Sequence, residues 1–196
     1  MSRLIEAMES CMQTPTQNVL EHGRSVVAHF SLMTSHIRHG TSLPSWWRFP
    51  AWAVAAGILD NLPPDGILRE YHEFHDCGKP FCRTMDEDGR AHYPGHANMS
   101  ERVWLAAGGD AHAARLMAQD MDAHLLRADG QDEFARKADA VTLLLTALAE
   151  THSNAAMFGG TDSDGFKIKC KNLDKRGRAV MVLRATHSQS IQGSMP

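Results

Sequence analysis

His75 and Asp76 stand side by side within the stretch "YHEFHDCGKP" (Tyr71 to Pro80), just ahead of Gly78, Lys79 and Pro80. An imidazole and a carboxylate presented together suit a divalent cation. Such mixed donors favour Mn²⁺, Fe²⁺, Ni²⁺, Co²⁺ or Zn²⁺ over an all-oxygen Mg²⁺ site. A helix that starts near Asp65 places Leu68, Tyr71 and His75 on one face, because residues three and four apart are neighbours there. Gly78 is expected to end that helix with a positive φ. The pair then sits at a helix C-terminus, where the negative end of the backbone dipole also favours a cation. Lys79 supplies a positive charge for an anionic substrate.

Twelve histidines occur in 196 residues, and several other histidines and acids recur at core-facing helical spacings. His22 lies three residues after Val19 and four before Val26, within the stripe Val19, Val26, Phe30, Met33 and Ile37. That helix is expected to start at Thr14-Pro15-Thr16-Gln17, with Thr as cap and Pro in the first turn, and to run to about Arg38. A histidine facing a core must satisfy its ring nitrogens by hydrogen bonding or by a metal; His29, one heptad on, is more peripheral. His96 follows Pro94-Gly95 on the inward face of a helix with Ser100 and Val103, where positive helix potential suits a phosphate oxygen; a structural histidine is the plainer account. After the break at Gly108-Gly109, Asp110 caps a helix expected to reach Arg127. On it Leu116, Asp120 and His124 are spaced four apart, either as site residues or as a surface pair. The longest helix is expected over Asp132 to Phe158. Its segment "VTLLLTALA" is apolar nearly all round and so must be central, which carries Glu150 and His152 into buried surroundings. Asp139, Glu150 and His152 are three candidates to complete a metal site, and the sequence leaves the choice among them open.

The elements that position these groups are mainly helical, and the length and the apolar content of 43% fit one domain with a substantial core. No apolar run is long enough to cross a bilayer, and "MSRLIEAMES" lacks the features of a signal peptide. Cys11, Cys77, Cys82 and Cys170 show no paired spacing and read as reduced thiols of a cytoplasmic protein. The formal net charge of −3 excludes a uniformly basic surface but not a local basic patch. Trp46 and Trp47, in the loop Thr41 to Pro50, read as packing residues, and a short helix is expected over Ala51 to Asp60. The loop Cys82 to Gly95 has a tight turn at Asp86 to Gly89 and lacks calcium-loop spacing; His92 in it reads as a surface residue. Beyond Gly159-Gly160, "FKIKCKNLDKRGRAVMVLR" alternates apolar and basic residues, which predicts a β-hairpin with its turn at Asp174 to Gly177 and a second strand through Val180 and Val182. It gathers Lys167, Lys169, Lys171, Lys175, Arg176 and Arg178, either as a solvated edge or for contact with a nucleic-acid backbone. Residues 187–196 read as a disordered tail. The organisation expected is a helical domain over 1–158, a hairpin extension of it over 159–186, and that tail.

The order "EHGRSV", "HDCGKP", "YPGHANMS" and "MAQDM" resembles the HD superfamily of metal-dependent phosphohydrolases. It is most similar to the HD domains associated with tRNA nucleotidyltransferases, in which a His-Asp-x-Gly-Lys-Pro stretch is followed by Gly-His and a Ser four residues on. The resemblance covers roughly residues 18–158 and implies an all-α bundle around a metal, here with the small C-terminal β-hairpin appended. It implies His22, His75, Asp76 and His96 as metal-site residues and Lys79 as a phosphate contact. Asp120 stands where many members have a histidine, with His124 one turn later, and Glu150 stands in the region of the usual closing aspartate. The implied chemistry is hydrolysis of a phosphate ester with one or two divalent ions, Mg²⁺ also being possible, on a nucleotide or a 2′-, 3′- or 2′,3′-cyclic phosphate RNA end. Asp76 would bridge metals or orient the attacking hydroxide, Lys79 and His96 would neutralise the phosphate, and His124 or His96 would protonate the leaving oxygen. Two alternatives are an HD-fold di-iron oxygenase of a small molecule and a non-catalytic nucleotide- or nucleic-acid-binding module.

Overall fold

Helices dominate the structure: a computed structural model, which describes residues 1–192, shows a mostly α chain with two small two-stranded antiparallel sheets. The fold class is therefore the one expected. Among the described residues no helix is long and apolar enough to cross a membrane. The chain forms two compact units, one from residues 1–31 and 63–121, the other from residues 32–62 and 122–196.

In the first unit, α1 (Ser2–Ser10) buries Leu4 and Met8. Strands β1 (Met12–Thr14) and β2 (Gln17–Asn18) follow as a hairpin. Thr14 to Gln17 is thus the turn of that hairpin and not a helix start. The reciprocal cap lies just beyond it: Glu21 N–H donates to the Asn18 side chain and Asn18 N–H to the Glu21 carboxylate, both at 2.9 Å. Helix α2 (Val19–His39) then begins, with Val19, Val26, Phe30 and Met33 buried as the spacing demands. Helix α3 (Asp65–Phe74) starts where expected. The two helices meet at Gly23, where an added Cβ would overlap the Glu73 carbonyl. After α4 (Lys79–Cys82), strands β3 (Thr84–Met85) and β4 (Ala91–His92) flank the expected turn. Helix α5 (His96–Ala106) packs on α6 (Ala111–Ala118). Asp110 caps α6 by accepting from His112 and Ala113 N–H, and Trp104 stacks on Phe74 at 4.8 Å.

The long helices expected on either side of Gly130 are interrupted. The backbone leaves helical geometry at Gln119 (φ −100°, ψ 2°), after which α7 (Asp120–Leu125) begins. Lys137 (φ −62°, ψ 137°) separates α8 (Gln131–Arg136) from α9 (Ala140–Ser153). In the second unit every residue of α9 from Thr142 to Ala149 is buried, which is what an all-round apolar helix requires.

The C-terminal β-hairpin is corrected: residues Asp164–Gln192 form one helix, α10. Phe166, Cys170, Leu173 and Val180 are buried at steps of four, three and seven, a helical stripe. Ile168 and Val182, which alternation places on the inner face, are 57% and 66% exposed. Gly177 completes the stripe because Trp52 lies against its Cα, and a Cβ there would overlap the indole. Helix α10 packs on α8 and α9. The segment expected as a tail is therefore helical to Gln192, and its remainder, 193–196, lies outside the described residues.

Candidate metal centre

Three buried donors converge in the first unit. His22, His75 and Asp76 are 0%, 1% and 2% exposed, and one ligand atom from each lies within 4.8 Å of the others. His22 Nε2 is 3.7 Å from Asp76 Oδ2 and His75 Nε2 is 3.3 Å from the same oxygen. The two rings stand edge to face at 5.1 Å and 66°. The close approach of α2 and α3 at Gly23 helps to set this meeting, because the glycine adjoins His22 itself.

His75 Nδ1 donates to the His72 carbonyl at 2.8 Å. A carbonyl only accepts, so Nδ1 carries the proton and the Nε2 lone pair of the neutral ring is turned toward Asp76. His96 repeats the device: Nδ1 donates to the Tyr93 carbonyl at 3.0 Å and Nε2 lies 3.5 Å from Asp76 Oδ1. Lone pairs facing a carboxylate repel unless a cation lies between them. Two or three imidazoles around one carboxylate is a donor set that could hold a metal ion, and the backbone carbonyls behind the rings are of the kind that fix ligand orientation at such sites.

Lys79 lies directly on Asp76 Oδ2. Its ammonium also donates to Gln13 Oε1 at 2.8 Å and sits 5.5 Å from the centre of the Tyr93 ring. Burial alone would raise the Asp76 pKa, but Lys79 first, then His75 and His22 in their protonated forms, outweigh it and hold the carboxyl well below its ordinary value. Asp76 is therefore the ionised hub of the cluster.

Gly78 differs from expectation. Its φ is −77°, so it is no left-handed cap. Space explains it: a Cβ would overlap the Ser100 nitrogen and the His96 carbonyl. Its N–H donates to Ser100 Oγ at 2.9 Å, and Cys77 Sγ reaches the Ser100 carbonyl at 3.5 Å. The glycine and the serine four residues after His96 are thus one joint, which docks the "HDCGKP" turn on α5. Burial pushes the Cys77 thiol up to about 12, which makes it a neutral packing group and not a nucleophile.

Asp120 brings a carboxylate oxygen within 4.8 Å of a His75 donor atom, and Tyr71 Oη donates to its Oδ1 at 2.6 Å. His124 and Glu150 belong to the second unit, where they pair at 2.8 Å while Asn154 donates to the other Glu150 oxygen at 3.3 Å. His152 is structural: Nδ1 donates to the Leu148 carbonyl at 2.7 Å, and Nε2 accepts from Arg48 N–H at 3.1 Å. Asp139 stands at the N-cap position of α9. His29 bonds the Ser25 carbonyl at 2.8 Å, and His92 pairs with Asp86 at 2.8 Å on an exposed hairpin. Gln13 and Tyr93 were not foreseen. A glutamine in a three-residue strand carries no periodic signal, whereas Tyr71 shares its helix face with His75 and was legible as a neighbour. No family model, curated protein or solved structure matches this chain.

Proposed function

We propose that the chain is a metal-dependent phosphohydrolase of the HD type, acting on a phosphate ester of the nucleotide or RNA-end class. The convergence of His22, His75 and Asp76 on one buried point, with Lys79 on the same carboxylate, carries this reading. A bound divalent ion would lower the pKa of its water and polarise a phosphoryl oxygen. His22 and His75 would hold the ion through neutral nitrogens. Asp76 supplies the negative charge and accepts a hydrogen bond from the attacking water. Lys79, held toward the cluster by Gln13, meets the charge that develops on the phosphoryl oxygens. His96 faces the other Asp76 oxygen and is placed to move a proton to the leaving oxygen.

The test is metal analysis of the purified chain together with a phosphate-release screen, with and without added Mn²⁺ or Ni²⁺, under air and under anaerobic conditions. Nucleoside monophosphates and 2′,3′-cyclic nucleotides are the substrates. Metal-dependent release that persists without oxygen and disappears in His75→Ala is expected. Bound iron with an oxygen-dependent spectrum and no phosphate release would replace this reading with oxygenase chemistry.

A further inference from the structure

We propose that the second unit carries a binding site for a nucleotide-type ligand, an aromatic ring bearing a phosphate, in the cavity between residues 45–50 and the first turns of α10. This inference does not rest on the metal centre. The cavity measures about 540 Å³, within the range of small-molecule pockets.

One wall is an aromatic stack. The Trp47 ring lies on His152 at 4.3 Å and 9°, and Trp46 lies on Trp47 at 5.7 Å and 27°. The base of the stack is fixed, because both His152 nitrogens are bonded to backbone and Phe166 meets the imidazole edge to face at 5.3 Å. Trp46 also lies 6.2 Å from His152 and so packs beside this pair; it is 36% exposed, Trp47 is buried, and both line the cavity. An exposed indole held against two other rings offers a face to a further planar ring.

The facing charges suit a phosphate. Arg48, Lys167 and Lys171 line the cavity. Lys167 and Lys171 are four apart on α10, so their charges share one face and repel each other, a small cost that an anion between them reverses. Three of the other four basic residues of this run have contacts elsewhere: Lys169 lies over the Phe158 ring, Arg176 donates to the Leu126 carbonyl and Arg178 pairs with Asp174. Asp174 also lines the cavity and pairs with Arg178 at 3.2 Å. The lining thus sets three cations against two carboxylates, Asp162 and Asp174, and a carboxylate beside a phosphate site is an acceptor for a sugar hydroxyl. Burial pushes the lining Cys170 thiol up to about 11, which keeps it a neutral packing group.

The experiment is a titration of the whole chain with AMP, adenosine and inorganic phosphate in the presence of EDTA, read by tryptophan fluorescence and calorimetry. AMP should bind saturably and at least about tenfold tighter than either part alone, that is, by about 1.4 kcal/mol or more. Lys167→Ala/Lys171→Ala should weaken AMP about tenfold and leave adenosine unchanged. Trp46→Ala should weaken AMP and adenosine together with unaltered circular dichroism; if that variant does not fold, the exposed lysine pair decides the case. No saturable AMP binding up to millimolar concentration overturns the proposal. So does AMP binding that these variants leave intact, or phosphate binding as tight as that of AMP. His75→Ala should bind AMP like the wild type even where it has lost turnover, which separates this site from the metal reading.

Discussion

At Asp76 a single carboxylate is shared by a lysine and three histidines, and its burial makes that sharing costly to disturb. Removing Asp76 strands the Lys79 ammonium, whose side chain is only 13% exposed. Breaking a buried ion pair from one side costs about 3–5 kcal/mol, whereas replacing both partners with apolar groups is often close to neutral. Asp76→Ala should therefore lower the urea midpoint markedly, and Asp76→Ala/Lys79→Met should recover most of the loss. Equal midpoints for the two variants would show that the pair is not coupled. Cys77 gives a pH signature. Its folded pKa of about 12 lies above the ordinary 9.0, so its contribution is complete below pH 9.0 and is lost as pH rises toward 12. Stability should fall more steeply above pH 9 in the wild type than in Cys77→Ala, measured by urea unfolding at a series of pH values. Parallel curves would contradict the buried-thiol account. At this scale the sequence was informative where chemistry was adjacent: His75, Asp76 and Lys79 are neighbours in the chain, and His22 sits in an apolar stripe. Gln13 and the Ser100–Gly78 joint depend on approaches between elements, which local spacing does not encode.

Between elements, glycines mark the tightest approaches: Gly23 against α3, Gly78 against α5 and Gly177 against Trp52. The last belongs to the helix whose sequence reads most easily as a hairpin. Within Phe166 to Lys171 a period of two is satisfied, and only the longer run through Leu173, Gly177 and Val180 shows the helical period. A direct discrimination follows. Phe166→Ala should cost about 3–5 kcal/mol, the usual penalty for emptying a buried aromatic site. Ile168→Asn should stay within about 0.5 kcal/mol, as for an exposed position. A hairpin puts both residues on one inner face, so similar large losses in thermal unfolding would restore the strand reading. The helix breaks at Gln119 and Lys137 are not legible in the sequence for a related reason: neither residue is a helix breaker.

The chain as a whole interleaves its segments, with residues 32–62 lying in the same unit as the C-terminal half. That arrangement depends on long-range packing and is invisible to local periodicity. The all-round apolarity of α9, by contrast, announced a central helix from sequence alone. A metal held by the folded first unit stabilises it by linkage, by about 2.7 kcal/mol at a free-ion concentration one hundred times Kd. Thermal unfolding should therefore shift upward on addition of Mn²⁺ or Ni²⁺ and return on chelation, and an unchanged midpoint would argue against a folded-state site. The most direct test of the central claim is calorimetric titration of the chelator-treated chain with Mn²⁺ and Ni²⁺, comparing the wild type with His22→Ala and His75→Ala. Stoichiometric binding in the wild type and its loss in both variants is the predicted result; equal binding by all three, or none by the wild type, would contradict it.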